Sequence, residues 1–223
     1  MPDLLDSVRV GFFRRLLRVF FNLLYHQFAW SYDLVAAAVS TGLWQMWVLS
    51  ARPFLPGPRI LELGFGPGHL QCALRLENKE VFGLDESPQM CRQAGQRLRR
   101  AGLSPNLILA KAQWIPFPSD WFDQVAATFP SEYIYKAETL DEISRVLKHG
   151  GTAVIVPQAI ITGRGLHHRW SAWLFRFTGQ TWVIQETWLK CFLQPLLQAG
   201  FELTFTLLEV DDSKIQVIRA IKP

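Results

Sequence analysis

Hydrophobic and polar residues follow one another along the chain in a pattern that predicts short buried strands separated by helices. Each predicted strand is an apolar run too short to be a helix. These runs lie at residues 58–61, 80–84, 107–109, 125–127 and 153–156. Between the first two runs, Leu70, Ala73 and Leu74 recur at helical spacing. Strands that alternate with helices predict a parallel sheet that is covered on both faces.

Residue types also mark the ends of one helix and the close of the sheet. Ser87 as N-cap, followed by Pro88, predicts a helix start, and Gly102 after a group of arginines predicts its end. The last segment has two strand-like runs, at residues 201–210 and 215–221, with only 211–214 between them. This spacing predicts a closing hairpin.

A glycine-rich run, Glu62-Leu63-Gly64-Phe65-Gly66-Pro67-Gly68, follows the first predicted strand, and Asp85 stands about 20 positions further on. Such a turn lets backbone N–H groups approach a ligand closely, and an acid at that distance can hold ribose hydroxyls. The run reads G-x-G-x-G, not the dinucleotide fingerprint G-x-G-x-x-G, and the chain has no G-x-x-x-x-G-K-[ST] phosphate loop. The pattern therefore predicts a nucleotide-shaped pocket and disfavours a dinucleotide.

Four segments in a fixed order resemble those of the class I S-adenosylmethionine-dependent methyltransferases. They are 62–68, similar to motif I; 81–90, similar to the second strand and following helix; 112–117 with 121–125, similar to A-x-x-L-P-F … F-D-x-V; and 140–151, similar to the helix and Gly-Gly turn before the fifth strand. The resemblance covers about residues 59–156. It is strongest toward the methyltransferase type 11-like, UbiE-like group that acts on small molecules and lipids.

The resemblance implies a fold and a division of the chain. The implied fold is α/β, with a Rossmann-like, doubly wound sheet of seven strands that is mostly parallel and ends in an antiparallel C-terminal hairpin. We expect residues 1–52 to form N-terminal amphipathic or lid helices and residues 53–223 to form the S-adenosylmethionine-binding domain. A helical cap insertion is expected at about residues 160–182, before the last two strands.

S-adenosyl-L-methionine is the cofactor that the resemblance implies. Glu62 and the glycine turn would face its amino-acid end, Asp85 its ribose hydroxyls, and Glu86 and Met90 its ribose and adenine. The full implied set is Tyr32, Glu62, Gly64, Phe65, Gly66, Gly68, Asp85, Glu86, Met90, Ala112, Gln113 and Thr128. The alternative is structural: Glu62 would be a buried acid that caps the turn, and Asp85 an acid at a helix N-terminus.

One position departs from the family's pattern on the adenine side. The residue before Ala112 is often acidic in the family and accepts a hydrogen bond from the adenine amine, but here it is Lys111, which can only donate. Recognition of adenine is therefore expected from Gln113 or from main-chain carbonyl groups.

Methyl transfer from a sulfonium needs mainly alignment and exclusion of water, so a general base is optional. The candidates near the expected crevice are Glu132 and Tyr133 after the fourth strand, then His167 or His168; each could equally be structural. Residues 128–131 do not match the (Asp/Asn)-Pro-Pro-(Tyr/Phe) signature of methyltransferases that act on nucleobase or glutamine amines. The acceptor is therefore expected to be a small or lipid-like molecule.

The N-terminal segment predicts a basic amphipathic helix. Arg14, Arg15 and Arg18 fall on one face, with phenylalanines and leucines around the rest. Such a helix can contact an anionic membrane peripherally, cover the domain as a lid, or bind a partner protein. The uncharged run 34–51 contains polar residues that disfavour a spanning helix, and the acidic start disfavours a signal peptide.

Two further segments bear on the acceptor side. Tyr32-Asp33 resembles a pair that precedes motif I in the family and closes over the methionine end of the cofactor. Within 162–177, aromatic residues recur at helical spacing among arginines, after the carboxyl end of the fifth strand. This insertion could roof the acceptor site, in which case it would suit an apolar acceptor with an anionic group, or it could be a packing helix with solvated arginines.

Composition excludes several other classes. A formal net charge of +4 over 223 residues is mild, so nucleic acid is disfavoured as a substrate. The scattered Cys72, Cys91 and Cys191 predict reduced thiols in a cytoplasmic chain, and the five histidines form no metal-ligand pattern.

Two alternatives to a methyltransferase stay open: a non-catalytic methyltransferase-like module and an unrelated nucleotide-binding α/β domain. The oligomeric state is not indicated by the sequence.

Overall fold

The structure, a computed structural model, describes residues 43–162 and 193–223. Within these ranges seven strands form a single sheet. The strands are β1 (Arg59–Leu63), β2 (Glu80–Asp85), β3 (Leu107–Leu109), β4 (Phe122–Thr128), β5 (Leu147–Ile161), β6 (Glu202–Val210) and β7 (Ser213–Ile221). The α-helices with both ends described are α1 (Trp44–Leu49), α2 (His69–Leu76), α3 (Pro88–Arg100) and α4 (Ala137–Val146); residues 193–198 are also helical. Short 3₁₀ helices lie at Arg52–Phe54 and Glu132–Tyr135.

The strand order is β3-β2-β1-β4-β5-β7-β6. The first five strands in this order run parallel, and β7 pairs antiparallel with both β5 and β6. The direction in which strands are added reverses between β1 and β4. The chain places β2 and then β3 on one side of β1, and it then returns to place β4 on the other side of β1. A ligand crevice is expected at such a reversal, at the carboxyl ends of the strands. The predicted fold class, with seven strands and a closing antiparallel hairpin, is confirmed.

The middle of the sheet is buried on both faces. Leu61 and Leu63 in β1, Val125 in β4 and Ile155 in β5 are at most 1% exposed, and they pack with α4 residues in one hydrophobic cluster. Near-continuous apolar runs are typical of strands covered on both faces. Burying a Leu, Ile or Val side chain stabilises the fold by about 1.5–3 kcal/mol.

The predicted ends of α3 agree with the structure. Oγ of Ser87 accepts a hydrogen bond from the backbone N–H of Met90 at 3.3 Å, and Pro88 is the first helical residue. At the other end Gly102 has φ +74°, and the next residue's N–H donates to the carbonyl of Leu98 at 2.9 Å. These contacts satisfy groups that a helix end leaves unpaired.

Strand β5 begins earlier than the sequence predicted. The expected Gly-Gly turn lies inside the stretch assigned to β5, because α4 ends at Val146 and the strand starts at Leu147. The register with β4 jumps there, from Phe122 opposite Leu147 to Gln124 opposite Thr152. Between these two pairs β5 has more residues than β4, so the strand is irregular there. Gly150 lies in this irregular stretch and has φ +73°, a left-handed conformation in which glycine is favoured.

The C-terminal hairpin is also tighter than predicted. Val210 pairs directly with Ser213, so the turn is Asp211-Asp212, and β7 starts two residues before Ile215, where the apolar run begins. Asp211 has φ +47°, which aspartate tolerates better than most residues. Ser213 and Lys214 are polar residues that the apolar pattern alone excluded from the strand.

Several sequence predictions fall on other parts of the chain. The amphipathic helix, Tyr32, His167, His168 and almost all of the cap insertion lie outside the described residues, and the division of the chain at residue 52 stays a prediction. β5 continues to Ile161, the second residue of the expected insertion. In the ranges 43–162 and 193–223, no helix is long and apolar enough to cross a membrane.

Candidate cofactor site

The glycine turn lies at the carboxyl end of β1, beside the point where the strand order reverses. Gly64, Gly66 and Gly68 have φ of +65°, +51° and +81°, so all three adopt a left-handed conformation that side chains disfavour. The backbone N–H of Gly64 donates to the carbonyl of Leu84 at 2.7 Å, which ties the turn to the end of β2. Gly68 then leads directly into α2.

Asp85, the last residue of β2, holds both the turn and the start of α3. Its Oδ2 accepts a hydrogen bond from the backbone N–H of Gly66 at 3.0 Å, and its Oδ1 accepts one from that of Ser87 at 2.9 Å. The residue is 8% exposed. Burial raises the pKa of this carboxyl, the two backbone donors oppose the rise, and the charge of Glu86 adds to it. Asp85 is thus a fixed acceptor at the edge of the crevice.

Glu62 lies in β1, two residues before the first glycine, and is 1% exposed. Burial raises its pKa from 4.5 to about 8; the Gln71 amide opposes the rise, and the charge of Asp85 adds to it. Among the residues that the structure describes, its Oε2 has no hydrogen-bond partner. A buried carboxylate oxygen without a partner is costly unless a ligand supplies a donor, and an ammonium group would also restore the charged form.

The pKa of Glu62 predicts a pH-dependent stability. Above about pH 4.5 the unfolded chain loses this proton, whereas the folded protein keeps it up to about pH 8, so folding stability falls as pH rises through that window. Glutamine cannot titrate, so the Glu62→Gln variant is not subject to this loss. Between pH 4.5 and pH 8, we expect the free energy of unfolding of the unmodified protein to fall by about 2–4 kcal/mol relative to that of the variant. Urea unfolding at both pH values measures this difference, and parallel pH profiles for the two proteins would contradict it.

Phe65 contributes its backbone to the turn, while its side chain lies in the core. The residue is 3% exposed. A Cβ atom added to Gly83 in β2 would lie only 2.6 Å from Cδ1 of Phe65 and 2.8 Å from Leu107. The ring therefore fills the space that glycine leaves at this point of β2, and the close packing fixes the turn against the sheet.

The residues expected around adenine lie on the loop after β3 and at the start of α3. Met90 and Ala112 are buried, Gln113 is half-buried, and Glu86 and Lys111 are exposed. The apolar side chains of the first two residues can form a surface for a flat aromatic ring, and Gln113 can offer an acceptor that Lys111 lacks.

An ion pair on α4 anchors this loop, and the sequence analysis did not identify it. Glu142 accepts a hydrogen bond from the backbone N–H of Ile115 at 2.7 Å and pairs with Arg145 at 2.6 Å. Arg145 in turn donates to the carbonyl groups of Ile115 and Phe117, both at 2.8 Å. The Arg145 guanidinium lowers the pKa of the Glu142 carboxyl. Glu142 and Arg145 stand three positions apart on a helix, but their partners lie far away in sequence.

The end of β4 brings one of the base candidates to the turn. Tyr133, in the 3₁₀ helix after β4, has its hydroxyl 2.5 Å from the position that a Cβ on Gly64 would occupy. Glu132, its neighbour, is exposed. Thr128 is half-buried as the last residue of β4. Gln71, a buried neighbour of Glu62 whose Nε2 donates to the carbonyl of Phe82 at 3.1 Å, was not predicted as part of the site.

Together these contacts place two buried acidic residues at the carboxyl ends of the strands, where the strand order predicts a ligand crevice. Glu62 has an oxygen that could accept a hydrogen bond from a cationic group, and Asp85 is fixed by two backbone donors, with the glycine turn between the two residues. Among residues 43–162 and 193–223, no cluster of three His, Cys, Asp or Glu side chains could hold a metal ion. Cys91, on α3, has its pKa raised to about 11 by burial, which favours the thiol.

Comparison with known families and curated proteins gives consistent matches. A model of a methyltransferase domain matches residues 61–155. The ubiquinone/menaquinone biosynthesis C-methyltransferase UbiE of Paraburkholderia xenovorans (strain LB400) is 32% identical over 139 residues, which are 59% of this chain and 57% of that protein. The UbiE of Blochmanniella floridana is 32% identical over 149 residues, 63% of this chain and 59% of that protein. These matches thus span less than two thirds of the curated relatives' length.

Solved structures share the fold at low sequence identity. Geranyl diphosphate C-methyltransferase from Streptomyces coelicolor A3(2), solved with Mg²⁺, geranyl diphosphate and S-adenosyl-L-homocysteine, has a TM-score of 0.61 at 15% identity, covering 86% of this chain and 84% of its own. The [4+2]-cyclase SpnF has a TM-score of 0.54 at 21% identity, covering 80% of this chain and 79% of its own. At these identities the likeness concerns the fold.

Proposed function

We propose that the chain is a class I S-adenosylmethionine-dependent methyltransferase that transfers a methyl group from S-adenosyl-L-methionine to a small or lipid-like acceptor. The observation on which the proposal rests is the pair of buried acids around the glycine turn. Glu62 has an oxygen without a hydrogen-bond partner, and Asp85 is held in place by two backbone donors.

The residues present fit this cofactor. Glu62 would bind the ammonium group of the amino-acid end, which would supply the donor that its Oε2 lacks and favour its charged form. Asp85 would accept hydrogen bonds from the ribose hydroxyls. Met90, Ala112 and Gln113 would contact the adenine. When bound, the cofactor supplies a methyl group on a positively charged sulfur, which is an activated carbon with a good leaving group.

The chain's own contribution is then alignment and exclusion of water. The turn is fixed by the hydrogen bonds of Gly64 and Gly66, and the adenine-side loop by those of Glu142 and Arg145. A rigid site that holds the two reactants in line removes much of the entropic barrier of the reaction. Tyr133 is the base candidate that lies at the turn, whereas Glu132 is exposed to solvent.

For the acceptor we infer an apolar small molecule or lipid, methylated at carbon. The curated relatives are named as C-methyltransferases of ubiquinone and menaquinone biosynthesis, and one structural neighbour as a C-methyltransferase of geranyl diphosphate. These names support an acceptor with a large apolar part, which in geranyl diphosphate is joined to an anionic group. The expected insertion, rich in aromatic residues and arginines, supports the same class from the sequence.

The test is transfer of an isotopically labelled methyl group from S-adenosylmethionine to an organic-extractable acceptor. The acceptor panel consists of isoprenoid phenols and quinols, prenyl diphosphates, fatty acids and small aromatic acids, with Asp85→Ala as the inactive control. The proposal predicts label in one of these classes with the unmodified protein alone. Cofactor binding without transfer to any of them would contradict it.

A second candidate function has one observation in its favour. SpnF, with a similar fold, is named as a [4+2]-cyclase, so a methyltransferase-like fold also serves other chemistry. The chain would then bind the cofactor, or a partner, without transferring a methyl group. Binding of S-adenosylmethionine with no turnover is the result that favours this candidate.

We also propose a cytoplasmic protein in peripheral contact with an anionic membrane. The proposal rests on the sequence pattern of Arg14, Arg15 and Arg18, since the N-terminal segment is outside the part of the chain that the structure describes. The protein is expected to sediment with phosphatidylglycerol vesicles and not with phosphatidylcholine vesicles, and the triple substitution of these arginines by Glu is expected to release it. Failure of the unmodified protein to sediment with either would contradict the proposal.

A further inference from the structure

Tyr133 lies directly on the backbone of the first glycine of the turn. A Cβ atom built on Gly64 would have its three nearest neighbours in this one side chain: the hydroxyl oxygen at 2.5 Å, Cζ at 3.5 Å and Cε1 at 3.8 Å. Gly64 has φ +65° and no side chain, so the phenol approaches the main chain itself. The hydroxyl end, and not the ring face, makes this approach.

The tyrosine is held in this position by the short helix that carries it. Ile134, the next residue, is fully buried in the main hydrophobic cluster, and the Tyr133 ring is packed against that cluster. The backbone N–H of Ile134 donates to the carbonyl of Ser131 at 3.3 Å, and that of Lys136 donates to the carbonyl of Tyr133 at 3.2 Å. The hydroxyl oxygen, which is itself buried, is therefore held in a fixed position beside the turn.

Gly64, beside which this hydroxyl lies, stands between the two acidic residues Glu62 and Asp85. Glu62, two residues before, would hold the ammonium group, and Gly66, two residues after, is hydrogen-bonded to Asp85, which would hold the ribose. In S-adenosylmethionine the group between the amino acid and the ribose is the sulfonium. Resting on the proposed function, we propose that the Tyr133 hydroxyl oxygen faces the sulfonium and stabilises its positive charge.

Such a contact would give the protein different affinities for two ligands of nearly the same shape. S-adenosylmethionine has a positive charge at sulfur, whereas S-adenosylhomocysteine has a neutral thioether there. A hydroxyl oxygen that stabilises the charge contributes to binding of the first and little to binding of the second. Tyr133 would thus favour the charged cofactor over the product, which bears on product release as well as on binding.

The test is calorimetric titration of the Tyr133→Phe variant with each ligand in turn. The variant keeps the ring and its packing and removes only the hydroxyl. We expect its affinity for S-adenosylmethionine to fall about fivefold, and that for S-adenosylhomocysteine to fall less than about twofold. Tyr135→Phe is the matched control, since it also removes a buried hydroxyl from the same short helix, and its ratio of the two affinities is expected to equal that of the unmodified protein.

Two outcomes overturn the inference in different ways. Equal losses for both ligands, or no loss for either, in a protein that otherwise binds them would show that Tyr133 does not sense the sulfonium charge, while the proposed function would stand. Absence of binding by the unmodified protein would overturn the proposed function, and the role of Tyr133 with it.

Discussion

Asp85→Ala is expected to weaken binding of S-adenosylmethionine by at least about 100-fold while the protein stays folded. The substitution removes the acceptor for the ribose hydroxyls, and it also leaves the backbone N–H groups of Gly66 and Ser87 without their carboxylate partner. The binding loss thus combines a missing contact with a loosened turn. The cost to folding is about 1–3 kcal/mol, the range for a buried polar group that loses its partner, and titration calorimetry measures the affinity.

Asp120→Ala is the control for this substitution. Asp120 is exposed, its carboxylate accepts a hydrogen bond from Lys222 at 2.7 Å, and the residue precedes the amino end of β4, away from the carboxyl ends where the site lies. Its affinity for the cofactor is expected to equal that of the unmodified protein. Unchanged affinity in Asp85→Ala would contradict the assignment of the site.

Gly68→Ala is expected to lower the free energy of unfolding by about 2–4 kcal/mol. Gly68 has φ +81°, and an added Cβ would lie 2.7 Å from Cβ and 3.0 Å from Cα of Ala94. The methyl group would therefore strain the backbone and also push α3 away from the turn. Because the backbone of α3 cannot shift without moving Met90 and Ser87, cofactor affinity should fall together with stability.

Gly102→Ala isolates the first of these two effects, the backbone strain. Gly102 has φ +74°, close to that of Gly68, but no atom of the described part of the chain lies within 4 Å of its added Cβ. Its expected loss is about 1 kcal/mol, from backbone strain alone. Urea unfolding of both variants gives the comparison, and equal losses would mean that the close contact between Gly68 and α3 does not contribute to stability.

The sequence predicted those parts of the fold that local residue types determine. Ser87, Pro88 and Gly102 set the ends of α3 through their own backbone preferences, and the apolar runs of β1 and β4 reflect burial on both faces. The start of β5 and the hairpin turn were placed wrongly by a few residues. Both depend on pairing with a neighbouring strand, which recruits polar residues such as Thr152 and Ser213 that the apolar pattern leaves out.

The same distinction holds for the candidate site. Glu62, Asp85 and the glycines could be named in advance, because a short motif contains them and its spacing has a physical reason. The anchor formed by Glu142 and Arg145, the neighbour Gln71 and the approach of Tyr133 to Gly64 depend on contacts between distant segments. Tyr133 was one of several base candidates in the sequence, and only the packing of its short helix distinguishes it from Glu132.

The most direct test of the central claim is calorimetric titration of the purified, unmodified protein with S-adenosylmethionine and then with S-adenosylhomocysteine. The crevice between Glu62 and Asp85 predicts binding of both ligands in the micromolar range, with one site per chain. Absence of binding for both would contradict the account and would mean that this glycine turn, although built like a cofactor site, does not serve as one.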